Sequence, residues 1–199
     1  MLCNYKKYLE FLDEKLKTFF ESQSPFIFCQ KGCSYCCKNS QYPYSLTEMQ
    51  YLLSAIEFLD TEIQQAIETN LQNILAKKKR YRGKNFKYDC PFLVNDKCSV
   101  YNYRGVICRT FGLMTHVENQ KVKVPFCSHL GLNYSNVMNL RSRTISTRKY
   151  KKLNTDKEPL GFNISYKYLT DEEFEKTFCF RFGEVKPMIE WFDSQNTKL

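Results

Sequence analysis

Histidine and glycine are scarce in this sequence. Its 199 residues include 2 histidines and 7 glycines, and the glycines are scattered along the chain. Scattered glycines exclude a glycine-rich nucleotide-binding loop, and two histidines are too few to indicate which metal a site would take. No Ser-His-Asp or Cys-His arrangement is evident, nor any pair of carboxylates with assignable catalytic roles. The sequence therefore indicates neither a substrate nor a partner.

Signals for export and for membrane insertion are also missing from the sequence. No apolar run approaches the roughly 20 residues that span a bilayer, and the first residues lack the apolar segment of a signal peptide. We therefore expect a soluble, cytoplasmic protein. Hydrophobic and charged residues make up 43% and 26% of the chain, which are ordinary globular values. The length predicts one domain, spanning residues 1–199.

Cysteine is abundant and unevenly distributed. Four of the ten cysteines fall within residues 29–37, and others follow much later. In a reducing compartment, clustered thiols indicate metal ligation or catalysis more than disulfides. Disulfides remain the alternative. A chain of this length does not need them for stability, however, and the adjacent Cys36 and Cys37 are poorly placed to form disulfide bonds. The candidate metal ligands are Cys29, Cys33, Cys36, Cys37, Cys90, Cys98, Cys108 and Cys127.

Two backbone conformations would bring the four clustered cysteines together. In a helix over residues 29–37, all four would share about a third of the circumference. A turn at Gly32 would instead curl the backbone around a metal and direct N–H groups at sulfur. In either case the side chains of Cys36 and Cys37 diverge, so we expect them not to serve one ion equally. The cluster is predicted to form half of a site that the later cysteines complete.

Helical patterns dominate the first half of the chain. Apolar side chains recur at helical spacing over residues 4–22, where a following proline ends the pattern. Ser45–Glu48 has the spacing of a capping box, which predicts a helix to about Phe58. Another helix is predicted from Asp60 to Gly83, with basic residues near its C-terminal end.

The residue composition changes over residues 89–125. Short segments rich in β-branched or aromatic residues, including Val106–Ile107, alternate with turn residues and predict short strands and loops. The C-terminal part, residues 133–199, is predicted to be helical, with a second capping box at Thr170–Glu173 and a short helix near residues 187–192. The predicted fold is α+β, mainly α, with helices around a loop-rich, short-stranded, cysteine-ligated metal centre.

The two cysteine-containing segments together resemble a known family. The clustered cysteines are followed by Cys-Pro-Phe-Leu, a short hairpin, Cys-x-x-Tyr and Arg-x-x-x-Cys-Arg. This order resembles the YkgJ-like, or CxxCxxCC, family of bacterial zinc- or iron-chelating domains, over residues 29–127. The resemblance implies a metal centre held by the eight candidate cysteines, with Tyr101, Arg104 and Arg109 beside the ligands.

Two positions depart from the family pattern. The first spacer has three residues where the family has two, which makes Cys29 the ligand most easily spared. Gly105 stands where the family has proline, which loosens a turn without removing a ligand. All-thiolate ligand sets suit zinc and a [4Fe-4S] cluster alike, so both remain open. Four basic residues would offset the negative charge of bound thiolates, namely Lys31, Lys38, Arg104 and Arg109.

Two alternatives to a simple metal-binding protein remain. The similar cysteine-rich region of flagellin lysine N-methylases implies an iron-sulfur centre used with S-adenosylmethionine, hence a methyltransferase or a redox enzyme. The net charge of +9 concentrates in Lys77–Lys87 and Arg141–Lys152, which hold seven and six basic residues and no acid. These runs would suit an acidic partner or, in a zinc-stabilised protein, nucleic acid. Solvated helix surfaces explain them more simply, because neither run carries a groove-reading motif.

Overall fold

The structure, a computed structural model, describes residues 1–29, 32–117, 121–139 and 141–192. The fold is α+β and mainly α, as predicted. Its α-helices are α1 (Leu2–Ser22), α2 (Leu46–Leu53), α3 (Thr61–Arg80), α4 (Val106–Thr110), α5 (Thr147–Lys152), α6 (Tyr166–Leu169) and α7 (Glu172–Phe178). Its strands are β1 (Pro43–Ser45), β2 (Leu93–Val94), β3 (Lys97–Cys98), β4 (Met114–His116), β5 (Val122–Lys123), β6 (Met138–Asn139), β7 (Thr144–Ile145), β8 (Gly161–Phe162) and β9 (Val185–Pro187).

The helices of the first half follow the sequence prediction closely. Helix α1 buries its apolar stripe, and α2 begins with the predicted capping box, in which Ser45 and Glu48 exchange both hydrogen bonds. Helix α2 is shorter than predicted, because it ends at Leu53 and a separate 3-10 turn covers Ile56–Phe58. Helix α3 likewise ends at Arg80, before the glycine expected to stop it.

Two local predictions were wrong. Val106–Ile107, predicted as a strand, begins helix α4. Its β-branched residues favour a strand, but the buried Glu48 carboxylate accepts a hydrogen bond from the Val106 N–H at the helix start. The cap of α7 is Asp171 rather than Thr170, because the Thr170 hydroxyl donates to the carbonyl of the preceding helix.

The strands form small sheets that join distant parts of the chain. Strand β1 pairs antiparallel with β9, so the segment after the cysteine cluster lies against the C-terminal part. Strands β2 and β3 form a hairpin, and β6 pairs with β7. Strand β4 lies between antiparallel β5 and parallel β8. These pairings hold the loop-rich centre between the helices.

Three clusters of buried side chains form the core. One lies beneath α2 and α3, and Cys90, Cys98 and Cys108 pack against its edge. A second, rich in aromatic residues, lies between α1 and the α6–α7 region. A third, smaller cluster surrounds Phe26 and Tyr134. The later cysteines are therefore anchored by apolar packing that does not itself require a metal.

The two basic runs lie on separate elements. Lys77–Lys87 begins in the last turn of α3, where cations suit the helix dipole, and continues into the loop that follows. Arg141–Lys152 spans β7 and α5, and Lys149 donates to the Met138 carbonyl at 2.8 Å.

Within the described part of the chain, no helix is both long enough and apolar enough to cross a membrane.

Candidate metal centre

The cysteine cluster adopts a turn followed by a 3-10 helix rather than one continuous helix. Gly32 has a φ of +92°, a conformation that glycine adopts without steric cost, and the 3-10 helix covers Tyr35–Cys37. The Tyr42 hydroxyl donates to the Cys36 carbonyl at 2.7 Å and fixes the exit of the turn. Of the two conformations that the sequence left open, the structure has the turn at Gly32. Lys31 lies outside the described residues.

The sulfurs of Cys36 and Cys37 lie closer together than the divergence of neighbouring side chains predicts. They are 3.9 Å apart. In a tetrahedral zinc site with bonds of about 2.3 Å, two sulfurs are roughly 3.8 Å apart. This spacing suits two ligands on one ion and equally suits the hydrogen bond between the two thiols, so the expectation that they do not serve one ion equally stays a prediction.

Backbone pairing joins the cluster to the second cysteine segment. The Cys90 N–H donates to the Cys37 carbonyl at 2.7 Å, and Ser40 forms an antiparallel bridge with Tyr88. The Asp89 carboxylate accepts from the Asn39 N–H at 2.7 Å. Segments that are about fifty residues apart in sequence therefore lie side by side, which brings Cys37 and Cys90 together.

Cys98 lies at the end of the β2–β3 hairpin. Asn95 and Asp96 form its two-residue turn with φ of 50° and 58°, the left-handed pair that such hairpins favour. The Asp96 carboxylate lies 2.6 Å from the Lys38 ammonium, so an ion pair ties the hairpin tip to the first segment. Lys38 is thus paired with a carboxylate in this structure, and because both side chains are exposed the pair contributes little to stability.

Helix α4 carries Cys108 and is fixed by buried polar groups of the β1–α2 segment. One Glu48 carboxylate oxygen accepts from the Val106 N–H at 2.9 Å, and the Tyr44 hydroxyl accepts from the Gly105 N–H at 3.2 Å. That hydroxyl lies 3.2 Å from the Cys108 sulfur. The φ of Gly105, −67°, would suit the family's proline, but a proline would lose this N–H. A Cβ at Gly105 would also meet the carboxylate at 2.7 Å.

Six of the candidate cysteines line one cavity of about 540 Å³. They come from the turn at Gly32, the short 3-10 helix, the loop before β2, strand β3 and helix α4. All ten cysteines are free thiols, and Cys3 and Cys179 are exposed on other parts of the surface. The cysteines of the cavity are Cys33, Cys36, Cys37, Cys90, Cys98 and Cys108.

Cys29 and Cys127 lie beside the cavity rather than on its wall. Asn133, which is fully buried, accepts from the N–H groups of Phe28 and Cys29 through one side-chain oxygen, each at 2.8 Å. The Leu132 N–H donates to the Cys127 carbonyl at 3.1 Å, so the same loop carries both contacts. The Cys127 thiol is 4% exposed, whereas Cys29 is exposed. These two thiols do not line the cavity, yet both lie close to Cys33: the Cys29 thiol forms a hydrogen bond with that of Cys33, and Cys127 interacts electrostatically with Cys33 and Cys36.

The coordination shell is not preformed. Within the described residues, no three Cys, His, Asp or Glu side chains converge closely enough to hold a metal ion. The donor set nevertheless fits the soft, all-thiolate chemistry of zinc or iron-sulfur sites. The residues therefore fit a metal in the identity of their donors, and binding would have to draw the sulfurs inward.

Burial and hydrogen bonding give the thiols different pKa values. A hydrogen bond from the Cys37 thiol, aided by the Arg104 guanidinium, lowers the pKa of Cys36 to about 7. Cys37 donates that bond, so its own pKa is raised. Burial raises the pKa of Cys90 and of Cys98, and it raises the pKa of Cys108 to about 12. Cys36 therefore ionises before Cys37, Cys90, Cys98 and Cys108, each of which must lose its proton to become a ligand.

The two arginines expected beside the ligands have different surroundings. The Arg104 guanidinium lies on the cavity wall, 3.7 Å from the centre of the Tyr101 ring. Arg109, which is 6% exposed, points away: it pairs with Asp13 on α1 and donates to the carbonyls of Asn102 and Arg104. Arg109 therefore supports the loop that carries Arg104 and Tyr101.

Sequence reasoning missed three residues that position the thiols. Tyr44 contacts the Cys108 sulfur, Glu48 anchors the start of α4, and Asn133 fixes the start of the cluster. The capping box identified Glu48 as a helix cap, and nothing in that pattern indicates that its second oxygen reaches Val106. No local signal marks Tyr44 or Asn133, since each acts on a segment more than sixty residues away.

A family model matches this chain. The model of the CxxCxxCC family, described as "Putative zinc- or iron-chelating domain", matches residues 28–128, about half of the chain. No curated protein and no solved structure matches. The matched range contains all eight candidate cysteines, together with Tyr101, Arg104 and Arg109.

Proposed function

Because this chain belongs to the CxxCxxCC family, we propose that it binds its metal through thiolates drawn from both cysteine segments. The observation that carries the proposal is the shared cavity, whose wall contains Cys33, Cys36 and Cys37 from the first segment and three cysteines from the second. Backbone pairing between Cys37 and Cys90 holds the two halves in contact. A zinc- or iron-chelating role, which is the family's description, is consistent with this arrangement.

For the metal itself, an iron-sulfur cluster is our first choice and zinc our second. A cavity of about 540 Å³ is larger than a single ion requires, which favours a larger group such as a [4Fe-4S] cluster, and four of the six thiols would hold either group. Such a cluster would supply electron transfer, whereas zinc held by thiolates alone would serve as a structural crosslink. The low pKa of Cys36 suits either, because it provides the first thiolate near neutral pH.

Elemental analysis combined with a visible spectrum tests the proposal. Protein purified without oxygen should be brown and contain iron and acid-labile sulfide if it holds an iron-sulfur cluster. A colourless preparation with stoichiometric zinc would support the second choice. Protein that takes up neither metal, after reconstitution with iron and sulfide and separately with zinc, would contradict the proposal.

Metal removal provides an independent test. Because the ligands come from two segments, metal binding stabilises the folded state. Free metal at 100 times its Kd adds about 2.7 kcal/mol to the free energy of unfolding. Chelation, or Cys90→Ser, should therefore lower the melting temperature. The matched control is Cys3→Ser, because Cys3 is an exposed thiol on α1. An unchanged melting temperature after complete metal removal would contradict a centre that joins the two segments.

A further inference from the structure

Nearly all of the net charge of the chain lies in one segment. Residues 121–153 contain eight of the 30 basic residues and none of the 21 acidic residues, in a chain with a net charge of +9. This segment is wider than the run Arg141–Lys152, because it also includes two lysines in or next to β5. It is therefore strongly basic, whereas the rest of the chain is close to neutral in total. The eight cations are Lys121, Lys123, Arg141, Arg143, Arg148, Lys149, Lys151 and Lys152.

The segment folds with its apolar side chains inward and its cations outward. Val122, Ile145 and Tyr150 pack against the third buried cluster, around Phe26. All eight basic residues are exposed. Lys149 donates to a backbone carbonyl. Within the described part of the chain, the other seven cationic side chains form no hydrogen bond and no ion pair. Their charges are therefore available to an anionic partner.

The other basic run, Lys77–Lys87, is partly balanced by its surroundings. The Lys78 ammonium lies 3.9 Å from the Glu190 carboxylate. Four cations of this run occupy the last turn of α3, where the carbonyls of the helix end attract positive charge. Residues 121–153 are therefore better suited than this run to bind a polyanion.

An exposed aromatic ring lies within the basic segment. Phe126 is 63% exposed and begins the 3-10 helix Phe126–Leu130. Val124 packs on the same buried cluster as Ile145 of β7, so this ring and the β6–β7 hairpin belong to one part of the fold. Proteins that bind single-stranded nucleic acid combine cations along the phosphate backbone with aromatic rings on which bases stack. A base within a duplex is already stacked, so a ring of this kind suits a single strand.

We propose that residues 121–153 bind single-stranded nucleic acid, with phosphates along the β6–β7 hairpin and α5 and a base stacked on Phe126. An acidic protein and an anionic membrane are the competing partners. An acidic peptide would meet the cations but has no base for Phe126. A membrane surface would require apolar side chains that insert, whereas Ile145 of β7 and Tyr150 of α5 pack inward. The proposal does not depend on which metal the protein binds.

Binding of a labelled oligo-dT to the full-length protein, purified with its metal, tests the inference. Fluorescence anisotropy gives Kd for a strand of about 20 nucleotides in about 50–300 mM KCl. We expect a Kd of about 10 μM or lower at the lowest salt, and a plot of log Kd against log salt whose slope is roughly 0.7 for each phosphate contacted.

Two variants separate the contributions of charge and stacking. Arg141→Gln, Arg143→Gln and Arg148→Gln together should lower the slope by about 2, because three phosphate contacts are lost. Phe126→Ala should weaken binding about tenfold and leave the slope unchanged, because it removes stacking without removing charge.

Each variant has a matched control that should bind as wild type does. Phe58→Ala removes a ring that is 81% exposed on the 3-10 turn after α2. A second triple variant removes the same charge from exposed residues of the other basic run, namely Arg80→Gln, Arg82→Gln and Lys84→Gln.

Several results would overturn the inference. These are no binding at the lowest salt, equal losses in the two triple variants, equal losses in the two alanine variants, or equally tight binding of a duplex of the same sequence. Poly-glutamate that competes as well as unlabelled oligo-dT would identify a site for acidic proteins instead, and phosphatidylserine vesicles that do so would identify a membrane site. Metal content measured on the same samples shows separately whether the proposed metal centre fails.

Discussion

The Tyr44 hydroxyl lies 3.2 Å from the Cys108 sulfur and acts as the donor in that contact. It accepts a hydrogen bond from the Gly105 N–H, also at 3.2 Å, which leaves its own proton directed at the sulfur. Burial raises the pKa of Tyr44, so the hydroxyl keeps that proton at neutral pH. Helix α4 and its thiol are therefore joined to strand β1 through one hydroxyl.

Tyr44→Phe should weaken metal binding. The change removes a hydrogen bond that stabilises the thiolate form of Cys108, and loss of such outer partners typically costs about 10–100-fold in metal affinity. Competition with a chelator would measure the change. Tyr81→Phe is the matched control, since the Tyr81 hydroxyl donates to the Asn85 carbonyl in the exposed loop after α3, away from the cysteines. If both variants lose the same affinity, the contact with Cys108 has no specific role.

Glu48→Gln should destabilise the fold. The two Glu48 oxygens accept from the N–H groups of Ser45 and Val106 and from the Tyr166 hydroxyl. An amide offers one oxygen and one NH₂, so at least one of these donors would face another donor. The expected cost is about 1–3 kcal/mol in denaturant unfolding. Glu57→Gln, on the exposed 3-10 turn after α2, should change stability little.

The difference between wild type and Glu48→Gln should also depend on pH. Burial raises the pKa of Glu48 above its value in the unfolded chain, so the folded state retains the proton longer. The stability that the proton on Glu48 contributes is fully present below the unfolded pKa, about 4.3, and is lost as pH rises through the folded pKa. The advantage of wild type should therefore shrink from about pH 4 toward neutrality. A constant or widening difference would contradict the raised pKa.

Asn133→Ala should release the start of the cysteine cluster. Its side-chain oxygen holds the Phe28 and Cys29 N–H groups, and its amide donates to the Gly112 carbonyl at 2.9 Å. Truncation leaves these groups without partners, at a cost of roughly 2 kcal/mol or more. We expect faster alkylation of Cys29, measured by mass spectrometry. Asn136→Ala, which removes one 3.4 Å hydrogen bond from the same loop, should leave the alkylation rate unchanged.

Much of the helical fold follows from local signals in the sequence. The apolar spacing over residues 4–22 is that of α1, and the Ser45–Glu48 spacing is that of a capping box, so both helices are predictable from a few neighbouring residues. Val106–Ile107 was misread because its β-branched residues indicate a strand, while the interaction that makes it helical comes from Glu48. A prediction made from neighbouring residues cannot include a contact between residues that are 58 positions apart.

The candidate site, too, was predictable from the sequence only in part. The positions of the cysteines and the family pattern identify which thiols matter, and the turn at Gly32 was one of two conformations that spacing allowed. The 3.9 Å separation of Cys36 and Cys37 was not predictable, because it depends on side-chain rotamers within the short 3-10 helix. The roles of Arg104 and Arg109 also could not be separated by sequence, since only the fold shows which guanidinium meets Asp13.

Metal binding should strengthen steeply with pH. Burial raises the pKa values of Cys90, Cys98 and Cys108, so each must lose a proton to become a ligand, whereas Cys36, with a pKa of about 7, is already partly ionised near neutral pH. A site that uses these four thiols should release about three to four protons, so its apparent affinity should rise roughly 10³–10⁴-fold per pH unit below pH 7. Calorimetry of zinc binding in buffers of different ionisation enthalpy counts the protons directly. Release of one proton or fewer would mean that the buried thiols of the second segment are not ligands.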